Sequence, residues 1–137
     1  MSGERDHLQL KKMMAPQLQP EVFVYCTFPD FRLPDGLPPI CTFREAEGLT
    51  AIVERTMAER AQVPYIFAAR LITLTVHSSL EAIGFLATIS SCLAQAGIPC
   101  NAVAAYHHDH LFIPVDRAQQ ALALLEYLSA DGTPPTV

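Results

Sequence analysis

The densest group of side chains that could bind a ligand follows Tyr106, where the sequence reads His107-His108-Asp109-His110. Imidazole and carboxylate groups are common ligands of zinc and iron, but a site of that kind needs three or more of them to converge. Neighbouring side chains of an extended chain point to opposite faces, so only alternate members of the run can act together. A polar hairpin turn with Asp109 at its corner explains the same residues. We expect no metal, and we retain four residues as candidate contacts to an organic ligand: Tyr106, His108, Asp109 and His110.

A second candidate site is the tripeptide His77-Ser78-Ser79, between a predicted strand and a predicted helix. Ser78 and Glu81 have the spacing of a capping box, in which the serine oxygen accepts from the amide of residue 81 and the glutamate reaches back. The other free amides and the dipole of a helix N-terminus favour an anion such as a carboxylate. We therefore expect His77, Ser78 and Ser79 to contact the carboxylate of a ligand. A purely structural role is the alternative, since capping alone explains Ser78 but not His77.

A third segment, Arg44-Glu45-Ala46-Glu47-Gly48, carries two carboxylates that could accept the ammonium group of the same ligand. Gly48 predicts a turn with positive φ. A solvated charged turn is the alternative explanation for Glu45 and Glu47, because paired carboxylates catalyse acid–base chemistry only where a pocket separates their pKa values. The sequence contains neither Gly-x-Ser-x-Gly nor a P-loop, so we expect no enzymatic activity and no cofactor.

The composition is that of a globular protein. Of the 137 residues 50% are hydrophobic, and the formal net charge is −5. The basic residues are scattered rather than clustered, which argues against a nucleic acid or an acidic membrane surface as partner. The first residues are too polar for a signal peptide, and no apolar run approaches the about 20 residues of a membrane span. We expect a cytoplasmic protein whose four cysteines are reduced and structural.

Hydrophobic periodicity predicts an alternation of strands and helices. The predicted strands are residues 22–28, 40–43, 49–53, 70–76, 100–106 and 111–115. The predicted helices are residues 4–14, 54–61 and 78–96, and a last helix that begins at Asp116 with a capping box to Gln119. Apolar stripes on the two later helices predict a core of Leu80, Ile83, Leu93, Leu122 and Leu125 over Ile72, Leu74 and Val76.

The pattern strand, charged turn, strand, helix occurs twice, in residues 40–61 and 103–125. Strand–helix–strand–strand–helix is most of a ferredoxin-like βαββαβ unit. We therefore predict an α+β protein of two such halves, residues 1–69 and 70–137, with antiparallel sheet and helices packed on one face. The second half lacks its last strand in sequence, so the first half or a partner chain must supply it.

Three blocks of sequence resemble a known family: residues 39–50 (PICTFREAEGLT), 72–84 (ITLTVHSSLEAIG) and 106–115 (YHHDHLFIPV). They are similar to an uncharacterised bacterial family of small stand-alone proteins with tandem ACT-like domains. The resemblance implies the ACT fold, a regulatory role, and amino-acid binding beneath the loop between the first strand and the first helix, which here is His77-Ser78-Ser79. It also implies sheets that pair side by side, so we expect a homodimer. Such a loop often carries a glycine; here the nearest is Gly84, which the helix pattern places inside the helix.

These observations predict a non-enzymatic regulatory or sensor module that binds a small amino acid. Two alternatives stay open. One is a structural adaptor that pairs with a partner protein through the edge of its sheet. The other is a metal-assisted enzyme that uses the His107–His110 cluster together with His77.

Overall fold

The computed structural model describes residues 15–75 and 84–131. Over these ranges the chain forms six strands: β1 (Pro16–Phe28), β2 (Cys41–Glu45), β3 (Gly48–Glu54), β4 (Ile66–Leu74), β5 (Asn101–Ala104) and β6 (Asp109–Pro114). It also forms three helices, α1 (Arg55–Arg60), α2 (Phe85–Gln95) and α3 (Ala118–Asp131), with a 3-10 turn, Val115–Arg117, directly before α3. The strands are ordered β2-β3-β1-β4-β6-β5 in an antiparallel sheet, which confirms the predicted α+β class.

Two compact units make up the chain, and two strands contribute to both of them. The first unit is Pro20–Arg70, and the second combines the residues up to Gln19 with those from Leu71 onward. Because β1 and β4 cross these boundaries, each unit contains a part of both strands. The division into halves 1–69 and 70–137 stays a prediction.

Within the second unit the strands are ordered β1-β4-β6-β5. The first three strands of a ferredoxin-like unit are here β4, β5 and β6, and the start of β1 takes the place of the fourth. Thr75 donates to the carbonyl oxygen of Ala15 from its backbone N (3.4 Å) and from its hydroxyl (2.7 Å). The strand that the second half lacks in sequence therefore comes from the N-terminal part of the same chain.

The core of the second unit lies between its strands and helices α2 and α3. Four of the predicted core side chains are fully buried: Leu93, Leu125, Ile72 and Leu74. Leu122 is only partly buried, because Leu124 and Leu128 belong to the buried stripe of α3. The other predicted core positions lie outside the described residues: Val76, Leu80 and Ile83.

In the first unit a loop, residues 29–40, occupies the position in sequence of the first helix of a ferredoxin-like unit. The loop turns at Asp30, whose Oδ1 accepts from the backbone N of Arg32 at 3.1 Å. Its Leu37 is 1% exposed. That side chain belongs to a core cluster with Val24, Cys26, Ala51, Val53 and Ala58. A single buried leucine thus covers part of the core that a helix would otherwise cover.

Helix α2 begins later than the sequence predicts. Its N-cap is Gly84, with φ at +84°, and the carbonyl of Gly84 accepts from the amide of Thr88 at 3.0 Å. A residue with left-handed backbone does not lie inside a right-handed helix, so the prediction that Gly84 is interior to a helix starting at Ser78 is wrong. The predicted capping box of Ser78 and Glu81 lies outside the described residues.

The last helix also starts differently from the prediction. Asp116 lies inside the 3-10 turn Val115–Arg117, and the N-cap residue before that turn is Pro114, which makes no side-chain hydrogen bond to it. The predicted capping box of Asp116 and Gln119 is therefore wrong. The reason is that the tight turn already places Asp116 in helical backbone, whereas an N-cap residue must be extended.

Candidate functional site

The histidine-rich segment forms the turn of the hairpin between β5 and β6. Ala104 pairs with Asp109 in the antiparallel register, and the backbone N of Ala105 donates to the carbonyl of His108 at 3.0 Å. Asp109 is therefore the first residue of β6 and is only 8% exposed. The expectation that Asp109 lies at the corner of the turn is wrong, because its pairing with Ala104 moves the corner to the residues before it.

Aromatic rings follow one another around this turn. The ring of Tyr106, which is 78% exposed, lies 4.7 Å from that of His107 between centroids. The ring of His107 lies 6.3 Å from that of His108, and the latter lies 6.5 Å from that of His110. The hairpin thus brings three of the four candidate contacts of this segment together: Tyr106, His108 and His110.

Strand alternation separates Asp109 from the imidazoles. Asp109 shares a face of β6 with Leu111 and Ile113. The side chains of Leu111 and Ile113 lie in the core, together with residues of α2 and α3. His110 and Phe112 lie on the opposite face of β6, away from α2 and α3. The carboxylate and the imidazole of adjacent residues are therefore presented to different sides of the sheet.

A chain of polar side chains crosses three neighbouring strands on the face of the sheet opposite α2 and α3. Nε2 of Gln19 on β1 donates to Oγ1 of Thr73 on β4 at 3.4 Å, and Oγ1 of Thr73 lies 3.1 Å from Nδ1 of His110 on β6. Thr73 is 8% exposed, and Leu71 and Phe112 on the same face are buried. Sequence reasoning missed Gln19 and Thr73, because nothing local to either residue shows that β1, β4 and β6 are neighbours.

The surroundings of His110 favour its neutral form. Burial lowers the pKa of His110 first of all, the nearby His108 lowers it further, and the carboxylate of Asp109 acts in the opposite direction. A neutral imidazole has one N–H donor and one acceptor nitrogen, so each nitrogen of His110 has a distinct role.

The charged turn of the first unit makes its contacts locally. Oγ1 of Thr50 donates to Oε1 of Glu45 across the β2–β3 hairpin, and the guanidinium of Arg44 lies 4.8 Å from the centre of the Phe31 ring. Both Glu45 and Glu47 are exposed. The predicted positive φ at Gly48 is confirmed, at +152°.

The tripeptide His77-Ser78-Ser79 lies outside the described residues, so its predicted contacts stay predictions. Within residues 15–75 and 84–131, no three side chains of histidine, cysteine, aspartate or glutamate are arranged to hold a metal ion. No helix in the same ranges has the length and apolar character needed to cross a bilayer.

All four cysteines are free thiols. Burial raises the pKa of Cys26 and Cys92, and it raises the pKa of Cys100 to about 11. A thiol of raised pKa carries little thiolate at neutral pH and is correspondingly unreactive. These three side chains therefore pack as small apolar groups.

Comparison with known families gives two matches in tandem. Models described as the ACT domain match residues 2–70 and residues 67–127. No curated protein matches the sequence significantly.

Solved structures share the fold over most of the chain. A Vibrio cholerae protein of unknown function, described as a possible transport protein, is 42% identical with a TM-score of 0.83, and the match covers 93% of this chain and 99% of that one. An Agrobacterium tumefaciens protein is 13% identical with a TM-score of 0.64, covering 79% and 81%. The regulatory subunit of aspartate kinase from Thermus flavus is 11% identical with a TM-score of 0.60, covering 82% and 95%.

Proposed function

The chain belongs to the ACT-domain family, and from this premise we propose that it is a non-enzymatic regulatory module that senses a small amino acid. The observation that carries the proposal is the tandem ACT match over residues 2–127. ACT domains usually regulate by binding amino acids, and the solved structures of this fold include regulatory subunits of aspartate kinase.

The proposed binding residues are those with groups that match both charges of an amino acid. In the second unit they are His77, Ser78 and Ser79 with Tyr106, His108, Asp109 and His110. In the first unit they are Glu45 and Glu47, whose carboxylates are exposed. A partly buried site must pair both the carboxylate and the ammonium of its ligand, since an unpaired charge is costly to desolvate.

A thermal-shift screen of the full chain against each of the twenty common amino acids tests the proposal. A ligand present at about 100 times its Kd stabilises the folded state by about 2.7 kcal/mol, which raises the Tm by several degrees in a protein of this size. The double variant His77→Ala/Ser79→Ala should lose the shift while its ligand-free Tm stays close to that of the wild type. If no amino acid at millimolar concentration moves the Tm, the sensor proposal fails.

A structural adaptor that pairs through a sheet edge is the second candidate, and the exposure of both outer strands favours it. In β5 three residues are exposed, Asn101, Ala102 and Ala104, and β2 is exposed over most of its length. An unpaired edge offers backbone N–H and C=O groups to another strand, in a homodimer or with a different protein. Light scattering over a concentration series, combined with hydrogen exchange of the β5 amides, separates these cases. If the β5 amides exchange slowly only at concentrations at which light scattering detects a dimer, the sheet edge pairs in a homodimer.

Metal analysis of the purified chain tests the remaining alternative, a metal-assisted enzyme. A stoichiometric transition metal that is lost on replacing His108 and His110 together by alanine would contradict the non-enzymatic proposal. We expect no bound metal in this measurement.

A further inference from the structure

The face of the second unit's sheet that lies opposite α2 and α3 (the outer face) is buried. Phe112 on β6 is 2% exposed, and Leu71 on β4 is 4% exposed. Both described helices of this unit pack on the other face, where they form the core. The face of an antiparallel sheet that meets water is ordinarily polar, so a buried phenylalanine and a buried leucine there indicate a covering layer.

Ala15, the residue before β1, turns the chain out of the sheet. Its φ is +40°, in the left-handed region, whereas a continuing strand has extended backbone. Left-handed backbone is costly for an alanine and persists only where the surroundings hold it. Here the backbone N and the hydroxyl of Thr75 both donate to the carbonyl oxygen of Ala15. The residues before Ala15 therefore leave the direction of β1 at the edge of the second unit's core strands instead of extending it.

Residues 1–14 have the composition and the length of a covering segment. Three of their apolar side chains have the spacing of one helical face: Leu10, Met13 and Met14. Methionine side chains are flexible and fill irregular apolar surfaces well. A helix of 14 residues is about 21 Å long. Four strands spaced about 4.8 Å apart span about 14 Å, so the segment is long enough to cross the sheet of this unit.

The other two segments outside the described residues are less suited to the outer face. Residues 76–83 join β4 to α2, and the described residues nearest their ends, Leu74 and Phe85, are both in the core on the helix-covered side. Residues 132–137 follow α3, which packs on that same side. Besides two prolines they contain one apolar side chain, Val137.

We propose that residues 1–14 dock on the outer face of the second unit, with the apolar side chains of residues 10–14 against Leu71 and Phe112. This inference goes beyond the proposed function and does not depend on which ligand the protein binds. His110 belongs to the same face, so access of a ligand to His110 from this side requires displacement of the docked segment.

Methyl NMR of the full-length protein, labelled with carbon-13 at the methionine methyl groups, tests the contact. We expect nuclear Overhauser contacts between the methyl group of Met13 or Met14 and the ring protons of Phe112, together with a ring-current shift that is lost in Phe112→Leu. The matched control is Met57, which packs against the core of the first unit and should not respond. Absence of these contacts in the wild type overturns the proposal, and that measurement requires no variant to fold.

A mixed sample shows which chain supplies the segment. Chains with labelled methionine and deuterated phenylalanine are combined with chains that carry unlabelled methionine and protonated phenylalanine. Contacts of the labelled methyl groups with Phe112 should be absent from this mixture, because we expect each segment to dock on its own chain. Contacts that appear in the mixture would show that a second copy covers the outer face, and would overturn the proposal.

Thermal unfolding of two double variants of the full chain gives an independent test. Leu10→Ser/Met13→Ser removes apolar side chains from the proposed contact, so its Tm should fall by several degrees. Lys11→Ser/Lys12→Ser is the control in the same turn of the segment, and its Tm should stay close to that of the wild type. Equal melting temperatures of the two double variants would contradict docking through the apolar side chains.

Discussion

At the residue scale, His110 links the stability of the fold to pH. Because burial lowers its pKa in the folded protein below the ordinary value of 6.5, the unfolded chain takes up this proton more readily. At pH values between the ordinary and the lowered pKa, the unfolded state binds more protons than the folded state. The free energy of unfolding therefore rises with pH over this range. The contribution of neutral His110 to the free energy of unfolding is thus fully present above about pH 6.5, and it is lost as the pH falls through the lowered pKa.

This coupling gives a prediction for His110→Gln. We expect the free energy of unfolding of the wild type, measured by urea unfolding in steps from pH 7.5 to pH 5, to decrease as the pH falls. The decrease should be smaller in His110→Gln. The matched control is His107→Gln, at an exposed position of the same turn, which should follow the wild type. Parallel profiles for the wild type and His110→Gln would contradict the assignment.

Gly48 is a second residue whose surroundings exclude any other side chain. A Cβ there would lie 2.8 Å from the carbonyl oxygen of Phe28 and 2.9 Å from Cα of Pro29, on backbone with φ at +152°. We predict that Gly48→Ala lowers the free energy of unfolding by about 1–3 kcal/mol in urea titrations. Gly36→Ala is the control: φ is +78°, but nothing lies within 4 Å of the added Cβ, so only backbone strain remains and the loss should be smaller. Equal losses would show that crowding at Gly48 is unimportant.

At the element scale, the C-terminal end of α2 depends on a side chain from outside the helix. The last turn of α2 contains no basic residue of its own. Arg117 donates from Nη2 to the carbonyl of Ala96 (3.0 Å), from Nη1 to that of Gly97 (3.1 Å), and from Nε to Oε1 of Gln120 (3.0 Å). The guanidinium thus pairs carbonyls at the helix end and places positive charge at the negative end of its dipole.

Loss of this cap should be measurable in Arg117→Met, which keeps much of the apolar stem. We expect the free energy of unfolding to fall by about 1–2 kcal/mol, since hydrogen bonds from a charged donor are lost. Arg117→Lys should retain part of the effect, because it restores the charge but not the two-pronged geometry. If Arg117→Met and the wild type unfold at the same urea concentration, the cap contributes nothing.

The packing of α2 gives a prediction of its own. Leu93 is fully buried, whereas Ala94 beside it is exposed. Leu93→Ala should cost about 2–5 kcal/mol, the range for a buried leucine whose cavity does not collapse. Ala94→Ser, measured in the same calorimetric scans, should change the Tm by little. A small effect of Leu93→Ala would show that the core between α2 and the sheet is loosely packed.

At the scale of the whole molecule, the two parts of the sequence depend on each other. Residues 16–19 of β1 belong to the second unit, although the rest of that unit follows Arg70. A fragment of residues 70–137 would lack that strand and would bury too little apolar surface for a chain of its length.

We therefore expect residues 70–137, expressed alone, to be unfolded or to aggregate. Circular dichroism and calorimetry, with the full chain as control, measure this. A monomeric fragment that melts cooperatively would show that the N-terminal strand is dispensable. The same fragment, dimeric and folded, would show that pairing with a strand of a second copy can replace the missing strand.

The amino-acid sequence by itself determined the α+β class, the approximate place of most strands and helices, and the buried stripe at Leu93 and Leu125. These follow from local periodicity, which strand and helix geometry impose over a few residues. It also determined that His108 and His110 share a face, because alternation is local. The starts of α2 and α3 were predicted wrongly, since a left-handed Gly84 precedes α2 and a 3-10 turn contains Asp116.

Only the tertiary structure decided what His110 contacts. The chain from Gln19 through Thr73 to His110 joins residues that are 54 and 37 positions apart. Such contacts arise from the order of strands in the sheet, and strand order is a matter of non-local pairing and burial. The extension of β1 back to Pro16 has the same origin, because its first residues pair with β4 without an alternating pattern of their own. A sequence shows which side chains have the chemistry to bind a ligand, and the pairing of distant strands decides which side chains they contact.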